Sequence, residues 1–350
     1  MALSKIESQA LDVGQIGGRR NLIINGHPIV DQRQEGTSIS SDGYVCDRWY
    51  IQAVSEDQLA FTADQDTTAP DGFSNSLRVQ TSTAETTVDA NDLFRWIYKV
   101  EAQDLQMLSY GSSVAKSFTL SFYVRSSLTG TYALNFYTPD SDRNITKTYT
   151  INAADTWERK TITVEGDTAG SGIANDNGEG LQINWILMAG SDYTSVDSTS
   201  WGTNADNRRA YNHTAEFGTN TSHTWYLTGV QLEVSTVASP FEHRSFSEEL
   251  TLCRRYFRRG RIFNGHNVTS STRAYTWETL HPVMNSDPTL TIDSIGSNGS
   301  SHSGQESSLV GLNHGSAVPD GGNGIRAMVQ SSNSQSDWWY SMQYSADAEL

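Results

Sequence analysis

Residues 118–124 read FTLSFYV, with Phe118, Leu120, Phe122 and Val124 at every second position. Successive side chains of a strand point to opposite faces, so this spacing lines four large apolar groups along one face. The same period recurs on both sides. Phe94, Trp96 and Tyr98 repeat it, as do Tyr132, Leu134 and Phe136, and then Leu181, Ile183, Trp185 and Leu187. Turn-rich stretches such as TPDSDRN (138–144) and EGDTAGSGIANDNGEG (165–180) separate these runs. No amphipathic helical stretch alternates with them, which excludes a parallel α/β sheet. The expected fold class is therefore all-β: an antiparallel jelly-roll-like β-sandwich, followed by one helix and a smaller C-terminal β domain. Trp49, Trp96 and Trp185 are expected in its core.

Moving outward, three segments are expected: 1–20, 21–244 and 245–350. In MALSKIESQALDVGQIGGRR (1–20), Leu3, Ile6, Ala10 and Leu11 share one helical face. The piece is too short to hold itself together in water, so it reads as a virion-attachment or oligomer-contact segment. Near residue 245 the period changes. Ser245 and Glu248 form a capping box, and Leu250, Cys253 and Phe257 make an apolar stripe. Arg254, Arg255 and Arg258 near the end suit the helix dipole, and Gly260 is the expected stop. Four further strand-like runs follow, at 274–280, 288–295, 324–331 and 338–344. In the last, Trp338 and Trp339 are adjacent and must point to opposite faces, which makes them candidate oligomer contacts.

The net charge is −16 and 10% of residues are aromatic, with nine Trp. Aromatics at that level argue against disorder. Strong negative charge repels nucleic acid and anionic membranes, so no nucleic-acid partner and no membrane insertion are expected. No secretory signal is evident, and no apolar run reaches the length of a membrane span. Cys46 and Cys253 read as buried free thiols made in a reducing compartment.

No catalytic motif stands out, and no acid–base carboxylate pair can be named, so the chain is expected not to be an enzyme. No cofactor is expected. Two Asp/Asn loops offer clustered oxygen donors, making Asp140, Asp142 and Asp176 weak candidates for a structural calcium. The alternative is ordinary Asx turns. A long polar stretch, 189–224, lacks periodicity and carries Tyr193, Trp201 and Tyr211 beside Asp206, Asn207 and Arg208. Sugar rings stack on aromatic faces while polar groups bond their hydroxyls. These six are the candidate carbohydrate-binding residues. The competing reading is that they clamp the loop to the sandwich or to a neighbouring subunit.

Two segments flank the long β region. NLIINGHPIVDQRQEGTSISSDGYVCDRW (21–49) opens it, and YLTGVQLEVSTVASPFEHRSFSEELTLCRRYF (226–257) closes it. Together they resemble bacteriophage tail-fibre and related virion appendage proteins, in which such segments bracket a carbohydrate-binding-module-like β-sandwich. ASPFEHRS followed by EELTLCRRYF is the more specific half. The resemblance implies a structural virion protein of a tailed phage, a tail-fibre or capsid-fibre subunit. It further implies a homotrimer that contacts other virion proteins and adsorbs to a host surface polysaccharide. Two alternatives stay open: a head-decoration or tail-adaptor protein with purely structural contacts, and a polysaccharide depolymerase.

Overall fold

A computed structural model describes residues 20–54, 58–266, 273–297, 308–309, 313–314, 324–330 and 338–350. Leu3 and Ile6 lie outside the described residues. The chain divides into two compact units, Met1–Phe246 and Ser247–Leu350.

The first unit is built from β1 (Gly43–Cys46), β2 (Trp49–Val54), β3 (Ala60–Asp66), β4 (Ser76–Thr83), β5 (Leu93–Glu101), β6 (Phe118–Ser126), β7 (Gly130–Thr138), β8 (Arg143–Ile151), β9 (Glu158–Val164), β10 (Glu179–Ala189), β11 (Gly202–Thr203) and β12 (Thr224–Glu233). A seven-stranded sheet runs β1-β2-β5-β10-β7-β8-β11, and a five-stranded sheet runs β3-β4-β12-β6-β9. All of these pairings are antiparallel, so the molecule is the expected all-β sandwich.

The alternation that predicted the strands also places their faces. Along β2, Trp49 and Ile51 are buried while Tyr50 and Gln52 are half-buried. Trp49, Trp96, Trp185 and Trp225 are fully buried. Trp49 and Trp185 pack at 5.5 Å within the seven-stranded sheet, and Phe122 meets Trp185 edge-on at 6.0 Å from the other. Each such ring removed from water contributes roughly 1.5–3 kcal/mol, so this aromatic layer sets the spacing of the sheets. Sequence reasoning passed over β4, β8 and β9. Their outward positions carry Thr, Arg and Gln, which weaken the apolar signal.

The two flanking sequence motifs meet and close the sandwich. Asn21 Nδ2 donates to Val230 O at 3.0 Å, and its Oδ1 accepts from Leu232 N at 3.0 Å. Glu242 N donates to Gln231 Oε1 at 2.8 Å, and Arg244 Nη1 donates to Ile23 O at 3.1 Å. Asn25 adopts φ 57°, and its amide donates to Val30 O at 2.8 Å and Asp47 O at 3.0 Å. Trp49 Nε1 in turn donates to Asn25 O at 2.8 Å. Phe73 sits among His27, Tyr123, Phe241 and His243, with ring centroids 5.1–5.3 Å away. The motif residues thus serve as architecture: they tie the ends of the first unit together.

The 189–224 region holds short elements where only a loop was expected. These are α1 (Ser191–Thr194), the two-residue β11, and 3₁₀ turns at Asp206–Arg208 and Phe217–Thr219.

α2 (Phe246–Cys253) starts on the last residue of the first unit and leads into the second, which continues with β13 (Phe257–His266), β14 (Arg273–Thr279), β15 (Thr289–Ser297), β16 (Ser308–Leu309), β17 (Asn313–His314), β18 (Gly324–Gln330) and β19 (Trp338–Asp347). The helix begins where the capping box placed it but stops at Cys253, well before Gly260. Ten residues of β13 pair with β19, and that ladder overrides the helical period. Gly260 pairs with Tyr344, whose ring occupies the space a Cβ would fill. It makes room for a cross-strand aromatic and does not end a helix. Trp338 and Trp339 pair with His266 and Gly265 in the backbone ladder, and their side chains lie outside the described residues. Cys46 and Cys253 are free and buried.

Candidate functional site

Every second residue of the central strands leaves the core and forms the outer face of the seven-stranded sheet. On β2, β5, β10, β7 and β8 those residues are largely amides, hydroxyls and one guanidinium. Register makes them neighbours: Gln52 opposes Arg95, Asn184 opposes Asn135, and Asn135 opposes Thr146. The side chains join into a row. Arg95 donates from Nη2 and Nε to Gln52 Oε1 at 2.7 and 3.1 Å, and from Nη1 to Asn184 Oδ1 at 3.2 Å. Gln182 Nε2 donates to the same Asn184 oxygen at 2.7 Å. Asn184 Nδ2 donates to Asn135 Oδ1 at 3.2 Å, and Asn135 Nδ2 donates to Thr146 Oγ1 at 3.0 Å. Such a linked row holds each group in one orientation.

Two half-buried tyrosines share this face, Tyr50 on β2 and Tyr137 on β7. Burial raises both phenols, helped by Asp42 at Tyr50 and by Asp142 at Tyr137, so both stay protonated and able to donate. Tyr50 also meets Tyr44 edge-on at 5.0 Å. Burial lowers the Arg95 guanidinium to about 10, and the nearby Arg209 charge adds to the effect. Arg209 comes from the loop over this face and pairs with Asp206 at 2.8 Å. The result is a polar layer in which Asn135, Asn184 and Thr146 are buried, while Gln52, Arg95, Gln182 and the two tyrosines remain partly exposed.

The structure spreads the six residues expected from the 189–224 stretch. Tyr193 on α1 is only 9% exposed and packs with Leu93, Ala133, Ile186 and Ala210. Its hydroxyl donates to Asn91 O at 3.3 Å. Trp201 packs against the core, donates from Nε1 to Glu165 O at 2.7 Å, and meets Tyr110 edge-on at 5.6 Å. Arg208 staples its own loop, donating to Asp197 O and Ser200 O at 2.9 Å and to Asn144 Oδ1 at 3.0 Å. Asn207 contributes its carbonyl to Val196 N at 3.0 Å. Asp206 is exposed beside Arg209. Tyr211 lines a separate groove of about 420 Å³ between β8 and β9, with Thr146, Lys147, Thr161 and Thr199. Tyr193, Trp201 and Arg208 thus fasten the loop, and its polar members split between two surfaces.

The residues that sequence reasoning did not single out are Gln52, Arg95, Asn135, Gln182 and Asn184. Their signal was present: they are the off-beat positions of the apolar strands. What was hidden is that register lines them up across four strands.

Among the described residues, no cluster of three or more His, Cys, Asp or Glu is placed to hold a metal ion. Asp140 Oδ2 accepts from Ala174 N at 2.9 Å, and Asp176 Oδ1 accepts from Gly178 N at 2.9 Å. Asp142 Oδ1 accepts from Asn204 Nδ2 at 3.1 Å. Each carboxylate shapes its own turn or loop. No described helix is long and apolar enough to cross a membrane.

A scan against protein-family models finds no match, and a search of curated proteins finds none either. Among solved structures, the chain is similar to the enzymatically active domain of tailspike protein 4 of bacteriophage CBA120. That alignment has TM-score 0.33 and 10% identity over 61% of this chain, and it spans only 21% of the tailspike chain. A family 11 carbohydrate-binding module of a Clostridium thermocellum cellulase aligns with TM-score 0.29 and 10% identity, over 59% of this chain and 99% of the module. A xylan-binding domain of Paenibacillus barcinonensis Xyn10C aligns with TM-score 0.26 and 12% identity, over 57% of this chain and 94% of that domain.

Proposed function

We propose that this protein is a non-enzymatic virion component of a tailed phage that adsorbs to host surface glycans through the outer face of its seven-stranded sheet. The observation that carries the glycan reading is the partly exposed set Gln52, Arg95 and Gln182, held in place by the buried Asn184, with Tyr50 and Tyr137 on the same face. Amide and guanidinium groups held in plane can bond vicinal hydroxyls, and a phenol ring offers a surface for sugar C–H groups. The virion reading rests on the resemblance of residues 21–49 and 226–257 to phage appendage proteins.

A shallow face of this kind binds weakly. One stacked ring with a few exchanged hydrogen bonds is worth a few kcal/mol at most, a millimolar site by itself. Adsorption then depends on repetition. A homotrimer displayed in many copies raises avidity by about 10²–10⁴ where spacing allows simultaneous contact. Residues 1–20 serve as the attachment or oligomer-contact segment that creates this display.

The test is retention of host envelope polysaccharide by the full-length protein immobilised at high density. Retention that falls at least tenfold in Tyr50→Ala together with Gln182→Ala is expected. Retention unchanged in that double variant, but lost with Tyr211→Ala, would move the site to the β8–β9 groove. No retention on any host surface, with antibody labelling at virion heads, would favour the decoration-protein alternative. Release of reducing ends would make the protein a depolymerase.

A further inference from the structure

We propose that the glycan is acidic, and that Arg95 receives the carboxylate of a uronic or similar acidic sugar. This inference rests on the glycan-binding reading above and names the ligand class of the same face.

The geometry at Arg95 points to it. The guanidinium makes three hydrogen bonds, all to neutral amide oxygens: two to Gln52 and one to Asn184. It forms no ion pair among the described residues. Three other half-buried arginines of the first unit meet carboxylates, Arg78 with Asp64 at 3.4 Å, Arg143 with Asp167 at 2.6 Å and Arg209 with Asp206 at 2.8 Å, while Arg208 spends its donors on its own loop. The chain has 40 acidic and 24 basic residues, so counter-ions are plentiful. A half-buried cation that is left with amides alone carries an uncompensated desolvation cost.

The two amides also fix the plane of the guanidinium. Five N–H groups are available, and three are used. One remains on each terminal nitrogen, which is the fork that accepts a planar carboxylate. Arg209 lies near enough to add positive potential, while Asp42 and Asp206 act on Arg95 only at longer range. An arriving carboxylate would neutralise Arg95, and its sugar hydroxyls would fall on the partly exposed Gln182 amide next along the row.

The experiment compares polygalacturonate with the same polymer after carboxyl reduction, using full-length protein immobilised at high density. Polygalacturonate is expected to be retained about tenfold more strongly, the effect of one charge-assisted bidentate contact. Arg95→Gln should level the two. Arg95→Lys keeps the charge, loses the fork, and should recover only part of the preference. It also serves as the deciding variant should Arg95→Gln lower the melting temperature. Equal retention of both polymers by the native protein overturns the inference and leaves the glycan-binding reading standing. A preference that survives both substitutions overturns Arg95 as its source. Stronger, Arg95-dependent retention of a glycerol-phosphate polymer would overturn the carboxylate class. Failure to retain any polymer would bring down both this inference and the glycan reading.

Discussion

Asn21 and Glu242 stand 221 residues apart in the chain, yet the backbone N–H of Asn21 donates to Glu242 Oε2 at 2.6 Å. The carboxylate also accepts from Arg20 N at 3.4 Å and lies 3.5 Å from Arg244 Nη2, whose side chain is only 4% exposed. One acidic group therefore joins the start of the described chain to the segment that follows β12.

Glu242→Ala should lower the unfolding free energy of the first unit by about 2–3 kcal/mol. The substitution removes the carboxylate beside the buried Arg244 guanidinium and strands an amide donor. Glu242→Gln keeps an acceptor and should cost less. Urea unfolding followed by tryptophan fluorescence would check this, and a change within about 0.5 kcal/mol for Glu242→Ala would mean the clasp adds little.

Trp96→Ala should cost roughly 3–5 kcal/mol, as should Trp49→Ala and Trp185→Ala, because each ring is fully buried in the aromatic layer. Trp49 loses in addition its hydrogen bond to Asn25 O. Thermal melts of the three variants would test the order, with Trp49→Ala at the bottom.

Gly229→Ala should be destabilising by about 3 kcal/mol. Gly229 sits at φ +60°, and a Cβ there would come within 2.7 Å of Phe73 Cζ and 3.0 Å of Tyr123 Cδ2. Backbone strain and overpacking add at this one position. Phe73→Leu in the same chain should restore part of the loss, and a double-mutant cycle with no coupling would count against the steric account.

Stability should fall as the pH drops from about 6.5 towards 4. Burial lowers His213 from 6.5 to about 4 in the folded protein. Its Nδ1 accepts from Ala133 N at 3.1 Å, which a protonated ring cannot do. The unfolded chain therefore binds the extra proton first, and the stabilisation is whole above pH 6.5 and lost as pH approaches 4. At 1.36 kcal/mol per unit, the effect is roughly 3 kcal/mol. Burial and the His243 charge lower His27 in the same direction, with a smaller share because it is more exposed. His213→Gln should flatten the slope of stability against pH between those limits, as measured by urea midpoints at several pH values.

Alternation in FTLSFYV and its companions determined the all-β class, the inward faces and the burial of Trp49, Trp96 and Trp185. That follows because a strand's period is two whatever it pairs with. The Ser-x-x-Glu pattern at Ser245 and Glu248 likewise marked where α2 begins, since a capping box is a local sequence signal. Tertiary structure alone decided the rest. The helix stops at Cys253 because ten residues of β13 find a distant partner in β19. Trp201 and Tyr193 turn inward because the loop that carries them covers apolar Ile186, Ala133 and the sandwich edge. The row from Gln52 to Thr146 exists only because antiparallel register brings five strands to the same level. Sequence reports which side of a strand is polar, but which polar groups become neighbours is a property of pairing, and pairing is non-local.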